Sequence, residues 1–108
     1  MKNLSEDKNI QKIEEFFKVP ERVADKVENV AERVKGGYVL FETHPRWDGS
    51  PGPWTKSPVA KMIFHKPTKS WKLYWMRASG KWQLYGEYRS LEEVLKVIDE
   101  DKDACFWG

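Results

Sequence analysis

The sequence has little cysteine and no long apolar run, and both absences narrow the class of protein. A single cysteine, Cys105, excludes an intramolecular disulfide and a multi-cysteine zinc cluster within the chain. No segment approaches the roughly 20 apolar residues of a membrane-spanning helix. The charged start, from Met1 to Asp7, also lacks the apolar core of a secretion signal. We therefore expect a soluble, cytoplasmic protein with no membrane partner.

Catalytic signatures are equally scarce. Gly36 and Gly37 precede a β-prone segment, which is the reverse of the order in a phosphate-binding loop. Cys105 has no basic neighbour in sequence that would activate it, so we expect a buried, inert thiol. The spacing Asp99-x-Asp101-x-Asp103 is that of a calcium loop, but the position that requires glycine is Ala104. These absences predict no cofactor and favour a protein that is not an enzyme.

The charges that are present are unevenly distributed. The 108 residues are expected to form a single domain, 1–108, with 19 basic and 17 acidic side chains. Residues 1–35 hold eight of each sign, residues 36–89 nine basic against three acidic, and residues 90–108 two basic against six acidic. The basic middle also holds 11 of the 15 aromatic residues. Such asymmetry is informative about partners rather than about fold.

The N-terminal part, 1–35, has helical spacing. Apolar residues recur every three or four positions from Ile10 to Phe17, and valines do so from Val23 to Val34. Pro20 suits the first turn of a helix, and the glycines that follow Lys35 suit its end. The pattern predicts two helices, over 7–17 and 20–35.

The rest of the chain predicts strands and then one helix. Four β-prone runs lie at 38–42, 59–65, 71–77 and 81–88, with short turns between the last three. Ser90 and Glu93 form a capping box at the start of a helix that ends near Glu100. The sequence predicts an α+β fold: two N-terminal helices, a four-stranded antiparallel meander, and a C-terminal helix packed on the sheet. The aromatic tail after Ala104 should pack back onto the domain.

Strand alternation divides the sheet into two faces. If Arg77 pairs with Trp82, one face is apolar and suits the helices. The opposite face is half basic and half aromatic or amphipathic. Its predicted members are Lys61, Ile63, His65, Lys72, Tyr74, Met76, Gln83 and Tyr85. Two interpretations stay open: this face is a stacking platform for bases and phosphates, or an N-terminal helix half-covers it.

The candidate binding residues come from this face and from the loop before the second strand. They are Lys61, His65, Lys72, Tyr74, Tyr85, Arg46, Trp47 and Trp54. Single-stranded nucleic acid is the first candidate partner and an acidic protein surface the second; the oligomeric state is left open. One alternative is a metal-dependent hydrolase or nuclease around His44, Asp48 and His65, although their spacing matches no ligand motif. A protein-interaction or self-associating domain is the other alternative.

Several motifs resemble a family of small prokaryotic proteins that is classified as a domain of unknown function. The shared motifs are Pro58-Val59-Ala60, Trp71-x-Leu73-Tyr74-Trp75, Trp82-x-x-Tyr85, Ile98-Asp99-x-Asp101 and Phe106-Trp107-Gly108. The resemblance covers about residues 44–108. It implies a small free-standing prokaryotic protein, and it supplies no activity and no functional residues.

Overall fold

The computed structural model describes residues 7–45, 52 and 54–107, and these form one antiparallel sheet and two α-helices. The helices are α1 (Lys8–Phe16) and α2 (Leu91–Glu100). The strands are β1 (Glu28–Val34), β2 (Gly37–His44), β3 (Thr55–His65), β4 (Ser70–Met76) and β5 (Trp82–Tyr88). Each strand pairs with the next one along the chain, in the order β1-β2-β3-β4-β5. The α+β class is confirmed, and no helix of the described residues is long and apolar enough to cross a bilayer.

The predicted helix over 20–35 is wrong. A single 3-10 turn, Glu21–Val23, is followed by strand β1, which makes the sheet five-stranded rather than four-stranded. Valines spaced three or four apart fit a helix, but β-branched residues also favour strands. Here the pairing with β2 prevails, because the two-residue turn at Gly36 (φ +82°) brings Val30 opposite Phe41.

The four predicted strands are confirmed with somewhat different bounds. Strand β3 is the longest, at 11 residues, and includes Pro58. Proline cannot donate a ladder hydrogen bond, so it is found in sheets at edges or bulges. The structure has such an irregularity here, because the β2–β3 register shifts between Leu40 and Phe41, whose partners are Ala60 and Pro58.

Both helices begin at side-chain caps. The Asp7 carboxylate accepts the backbone N–H groups of Asn9 and Ile10 at 2.9 and 3.2 Å, which confirms the first predicted helix. Ser90 Oγ accepts the Glu93 N–H at 3.2 Å, as the capping box predicts. The Glu93 carboxylate accepts the N–H of Arg89 rather than that of Ser90.

The core lies between the two helices and one face of the sheet. Its sheet side contains small and medium residues, such as Ala31, Leu40, Ala60, Met62 and Leu73. Its helix side is the apolar stripe of each helix: Ile10, Ile13, Leu91, Val94, Leu95 and Ile98. Burial of these side chains from water is the main force that holds the helices on the sheet.

The C-terminal segment packs back onto the domain, as the sequence predicts. Phe106 is buried, and its ring meets that of Tyr85 edge-on at 5.1 Å. Asp101, in the left-handed conformation, accepts the backbone N–H groups of Cys105, Phe106 and Trp107 at 2.9 to 3.0 Å. Three backbone donors therefore surround the Asp101 carboxylate and hold the segment after α2 in place.

Candidate functional site

The sheet has one face against the helices and one that neither described helix covers. Side chains alternate along a strand, and directly paired residues share a face. Because Ala31, Leu40, Met62 and Leu73 point to the helices, the residues between them form the other side, which we call the open face. Its central members are Val39, Phe41, Lys61, Ile63, Lys72, Tyr74, Met76, Trp82 and Leu84.

Several predicted binding residues lie on this open face. Lys61 of β3 is directly paired with Tyr74 of β4, and Lys72 lies two residues before Tyr74 on the same face. His65 is at the end of β3. Trp54 precedes β3 and is exposed, with 39% of its surface accessible. Arg46 and Trp47 lie outside the described residues.

The prediction for β5 has the faces exchanged. Met76, not Arg77, pairs with Trp82, so Trp82 and Leu84 lie on the open face and Gln83 does not. Tyr85, a predicted binding residue, points to the helix side, because it follows Leu84 in the alternation that the Met76–Trp82 pair sets.

The sequence of the β4–β5 turn indicates the correct pairing register of these two strands. Gly80 has φ +86°, its N–H bonds to the Arg77 carbonyl, and the Arg77 N–H bonds to Lys81. A three-residue hairpin loop commonly ends in a glycine of this conformation. A loop of Ala78, Ser79 and Gly80 closes at Arg77 and Lys81, and therefore pairs Met76 with Trp82.

Lys61 is the centre of the open face. Its Nζ lies 5.0 Å from the ring centroid of Tyr74 and 5.3 Å from that of Trp82. Both distances are within the range of cation–π attraction. Among the described residues, no carboxylate lies within ion-pair distance of Lys61. We call Lys61, Tyr74 and Trp82 the cation–aromatic cluster.

The other lysines of the open face have acidic neighbours. Lys56 forms an ion pair with Glu32 of β1 and also lies over the Phe41 ring, at 4.7 Å from its centroid. Lys72 is directly paired with Glu87 of β5. Four further basic residues of this region lie in turns at the two ends of β4: Lys66 and Lys69 before it, Arg77 and Lys81 after it. The open face is thus less basic than the sequence suggests, and its positive charge is concentrated at the turns and at Lys61.

A polar network lies at the end of the face where β3 turns into β4. His65 Nδ1 and Thr68 Oγ1 are 2.9 Å apart, and the hydroxyls of Thr68 and Ser70 both donate to the Glu87 carboxylate. These two hydroxyls, with a smaller contribution from the charge of Lys72, hold the pKa of Glu87 below its usual value. Glu87 therefore remains ionised beside Lys72 and His65.

The predicted metal site is not assembled. His44 pairs with Thr55 at one end of β3, and His65 lies at the other end, ten residues along an extended strand. That separation is about 30 Å, so the two histidines cannot share an ion, and Asp48 lies outside the described residues. Within those residues, no three histidine, cysteine, aspartate or glutamate side chains are grouped as metal ligands.

Cys105 is not placed as a nucleophile either. It is partly buried near the tail, and burial, together with the charges of Asp101 and Asp103, raises the pKa of its thiol. A raised pKa leaves the thiol protonated at neutral pH and unreactive. The sequence expectation of an inert thiol agrees with this environment.

Tyr85 has a different role from the predicted one. Its hydroxyl donates to the Asp103 carboxylate at 2.6 Å, and this hydrogen bond is the main reason why the pKa of Tyr85 rises to about 12 from an ordinary value of 10.0. The pKa of Tyr85 is higher in the folded state than the ordinary value of 10.0, so the hydrogen bond stabilises the fold fully below pH 10. This stabilisation is lost as the pH rises through about 12. Tyr85 therefore helps to hold the C-terminal segment on the sheet.

We expect Asp103→Asn to lower the pKa of Tyr85 toward 10, because an amide oxygen is a weaker acceptor and carries no charge. An alkaline titration of tyrosinate absorbance measures the shift, and a Tyr85→Phe variant identifies which transition belongs to Tyr85. Glu100→Gln is the control, since Glu100 is acidic and near Tyr85 but does not bond to it. An equal shift in the control would show that the general acidic field, and not the hydrogen bond, raises the pKa.

The fold and this surface define a small α+β protein with a cation–aromatic cluster on an open sheet face. The chain belongs to the family described as Domain of unknown function (DUF3024), whose model matches residues 1–108. The family assignment confirms the resemblance seen in the sequence and extends it over the N-terminal residues. Searches of the curated proteins and of the solved structures find no match.

Proposed function

We propose that this protein is a binding module whose open face takes single-stranded nucleic acid. The observation that carries the proposal is the cation–aromatic cluster: a lysine between two rings, without a carboxylate partner among the described residues. The cluster lies on the side of the sheet away from both helices. An ammonium without a carboxylate partner beside two half-buried rings offers a ligand both a charge and a stacking surface.

The ligand class follows from the two kinds of group that are combined here. Unpaired bases stack on aromatic side chains whatever their sequence, and lysines attract the phosphates between them. A duplex offers phosphates but keeps its bases stacked inside, so it could use only the cation. An acidic protein surface, likewise, would use the lysine and leave the rings without a partner. Single-stranded nucleic acid is the ligand that engages both parts of the cluster.

The distribution of charge supports a path for the strand along β4. The basic turns at the two ends of β4 are about 20 Å apart, since the strand has seven residues. Lys72 and the cation–aromatic cluster lie between these turns. A nucleic acid that follows this line passes from Lys66 and Lys69, over the rings of Tyr74 and Trp82, to Lys81.

The test is the affinity of the full chain for a fluorescein-labelled oligodeoxythymidine, measured by anisotropy at several salt concentrations. We expect binding at low salt that weakens steeply as salt is added, because phosphate contacts release counterions. Lys61→Gln should reduce the slope of log K against log salt by about 0.7. Trp82→Leu should cost about 1–3 kcal/mol of binding, the usual contribution of one stacked base.

The matched control for Lys61→Gln is Lys96→Gln, which removes a lysine from the exposed side of α2, across the sheet from the open face. It should leave both affinity and salt slope unchanged. Absence of binding by the wild-type chain at low salt would contradict the proposal. So would equal losses in the two lysine variants, because they would show that net charge alone attracts the oligonucleotide.

A further inference from the structure

The two edges of the sheet differ in whether their backbone groups have partners. At the β1 edge, the Ala31 N–H donates to the Glu14 carboxylate of α1 at 2.9 Å, and the Asn29 side chain donates to the Phe17 carbonyl at 2.9 Å. A side chain of α1 and the carbonyl of the residue that follows it therefore contact this edge. Native sheets commonly protect an exposed edge in such ways against pairing with another chain.

In the described part of the chain neither helix covers the backbone of the β5 edge, and the bulge at Tyr85 lies within it. Strand β5 pairs with β4 alone, and none of its outward backbone groups has a hydrogen-bond partner among the described residues. Leu84, in the middle of this strand, has 49% of its surface exposed. An edge strand of seven residues with unused donors and acceptors is a template for a further strand.

A cleft lies beside this edge, on the helix side of the sheet. It has a volume of about 480 Å³ and is lined by Tyr85, Tyr88, Val97, Glu100, Lys102 and Asp103. Alternation along β5 turns Tyr85 toward this side, while Trp82 and Leu84 lie on the open face. A strand added to β5 would therefore place alternate side chains in the cleft and beside Leu84.

The charge around the cleft selects among possible partners. The cleft is lined by two carboxylates, Glu100 and Asp103, and one lysine, Lys102, in a segment, residues 90–108, whose charge balance is −4. A second copy paired at this edge would bring two such acidic segments together, and like charges repel. A segment with basic side chains on the cleft side has the complementary charge.

We propose that the β5 edge and its cleft bind an extended basic peptide as a sixth strand. The backbone of the peptide pairs with β5. Its lysine or arginine side chains lie over Tyr85 and Tyr88 and reach Glu100, and its aliphatic side chains pack against Leu84 on the open face. This site is separate from the cation–aromatic cluster except at β5, and the inference does not depend on nucleic-acid binding.

The test uses a synthetic peptide of alternating valine and lysine, with the wild-type chain observed by amide hydrogen exchange. We expect the peptide to slow exchange along β5, because strand addition gives its outward N–H groups acceptors, and to leave β1 unchanged. A valine–glutamate peptide of equal length should not bind. The same valine–lysine peptide with alternate backbone nitrogens methylated should lose at least tenfold in affinity, since it has lost its donors.

Two charge reversals in α2 test the cleft itself. Glu100→Lys should weaken peptide binding about tenfold, because it places a like charge against the basic side chains. Asp99→Lys is the matched control: it is the adjacent residue, it is also exposed, and it does not line the cleft. It should change the affinity much less.

Three results would overturn the inference. No change in β5 exchange at millimolar peptide would show that the edge does not accept a strand. Full binding of the methylated peptide would show that the acidic segment attracts lysines without strand pairing. Protection of β5 that grows with protein concentration in the absence of peptide, together with a dimer mass in sedimentation, would show that a second copy occupies the edge.

Discussion

Gly37→Ala should abolish folding or lower the unfolding free energy by more than about 3 kcal/mol, beyond the usual cost of overpacking. A Cβ at this buried position would lie 1.9 Å from the Met62 carbonyl oxygen and 2.9 Å from the Ile63 Cα. Both atoms belong to the backbone of β3, so no side-chain rotation can relieve the overlap. Strands β2 and β3 would have to separate where the β1–β2 hairpin begins. Since typical domains are stable by only about 5–15 kcal/mol, this change threatens the whole fold.

Gly80→Ala is the matched control for this substitution. Gly80 also lies at a hairpin, but its φ is +86° and nothing lies within 4 Å of an added Cβ. Gly80→Ala should lower the unfolding free energy by about 1–2 kcal/mol, which is the strain of an alanine in the left-handed conformation. Urea unfolding followed by circular dichroism measures both variants. A Gly37→Ala protein as stable as Gly80→Ala would contradict the close approach of β2 and β3.

Phe106→Ala should cost about 3–5 kcal/mol of stability, as truncation of a buried phenylalanine usually does. The Phe106 ring is 7% exposed, belongs to the core and contacts the ring of Tyr85. Its loss would open a cavity in the core beside Tyr85. The position of the adjacent Trp107 would be less firmly fixed, although its indole N–H would still donate to the Ile98 carbonyl, at 3.0 Å.

Phe16→Ala is the control for Phe106→Ala, since the same atoms are removed from a ring that is 42% exposed. We expect it to cost less than about 1 kcal/mol, through its edge contact with Phe17. Thermal unfolding of the two variants compares them directly. Equal losses of stability would show that the segment around Phe106 is not part of the cooperative core.

Local patterns in the sequence predict most of the elements. The apolar spacing around Ile10, the capping box at Ser90 and the alternation from Val59 to Tyr88 each correspond to an element of the structure. The region of β1 has valines that suit both a helix and a strand, and only its pairing with β2 decides between the two. That pairing depends on residues elsewhere in the sequence, which a local pattern does not include.

The candidate site is predictable up to the strand where the register shifts. Lys61, Lys72 and Tyr74 lie on the face that alternation assigns to them, because β3 and β4 pair without a shift. In β5 the three-residue loop moves the pairing by one residue, so Trp82 enters the open face and Tyr85 leaves it, and the bulge at Tyr85 restores the predicted pairing from Gly86 onward. A one-residue displacement exchanges the faces of a strand, and the bulge forms through contacts that the sequence pattern does not show.

The protection of β1 by α1 also limits how copies of this protein could polymerise. An open filament built through strand pairing requires two free edges on every molecule, one for each neighbour. The Glu14 carboxylate occupies the Ala31 N–H that β1 would donate, and the Asn29 side chain is held by the Phe17 carbonyl, so growth at β5 would stop after a single addition. Helix α1 therefore opposes fibre formation by blocking strand addition at β1, and it also covers the core.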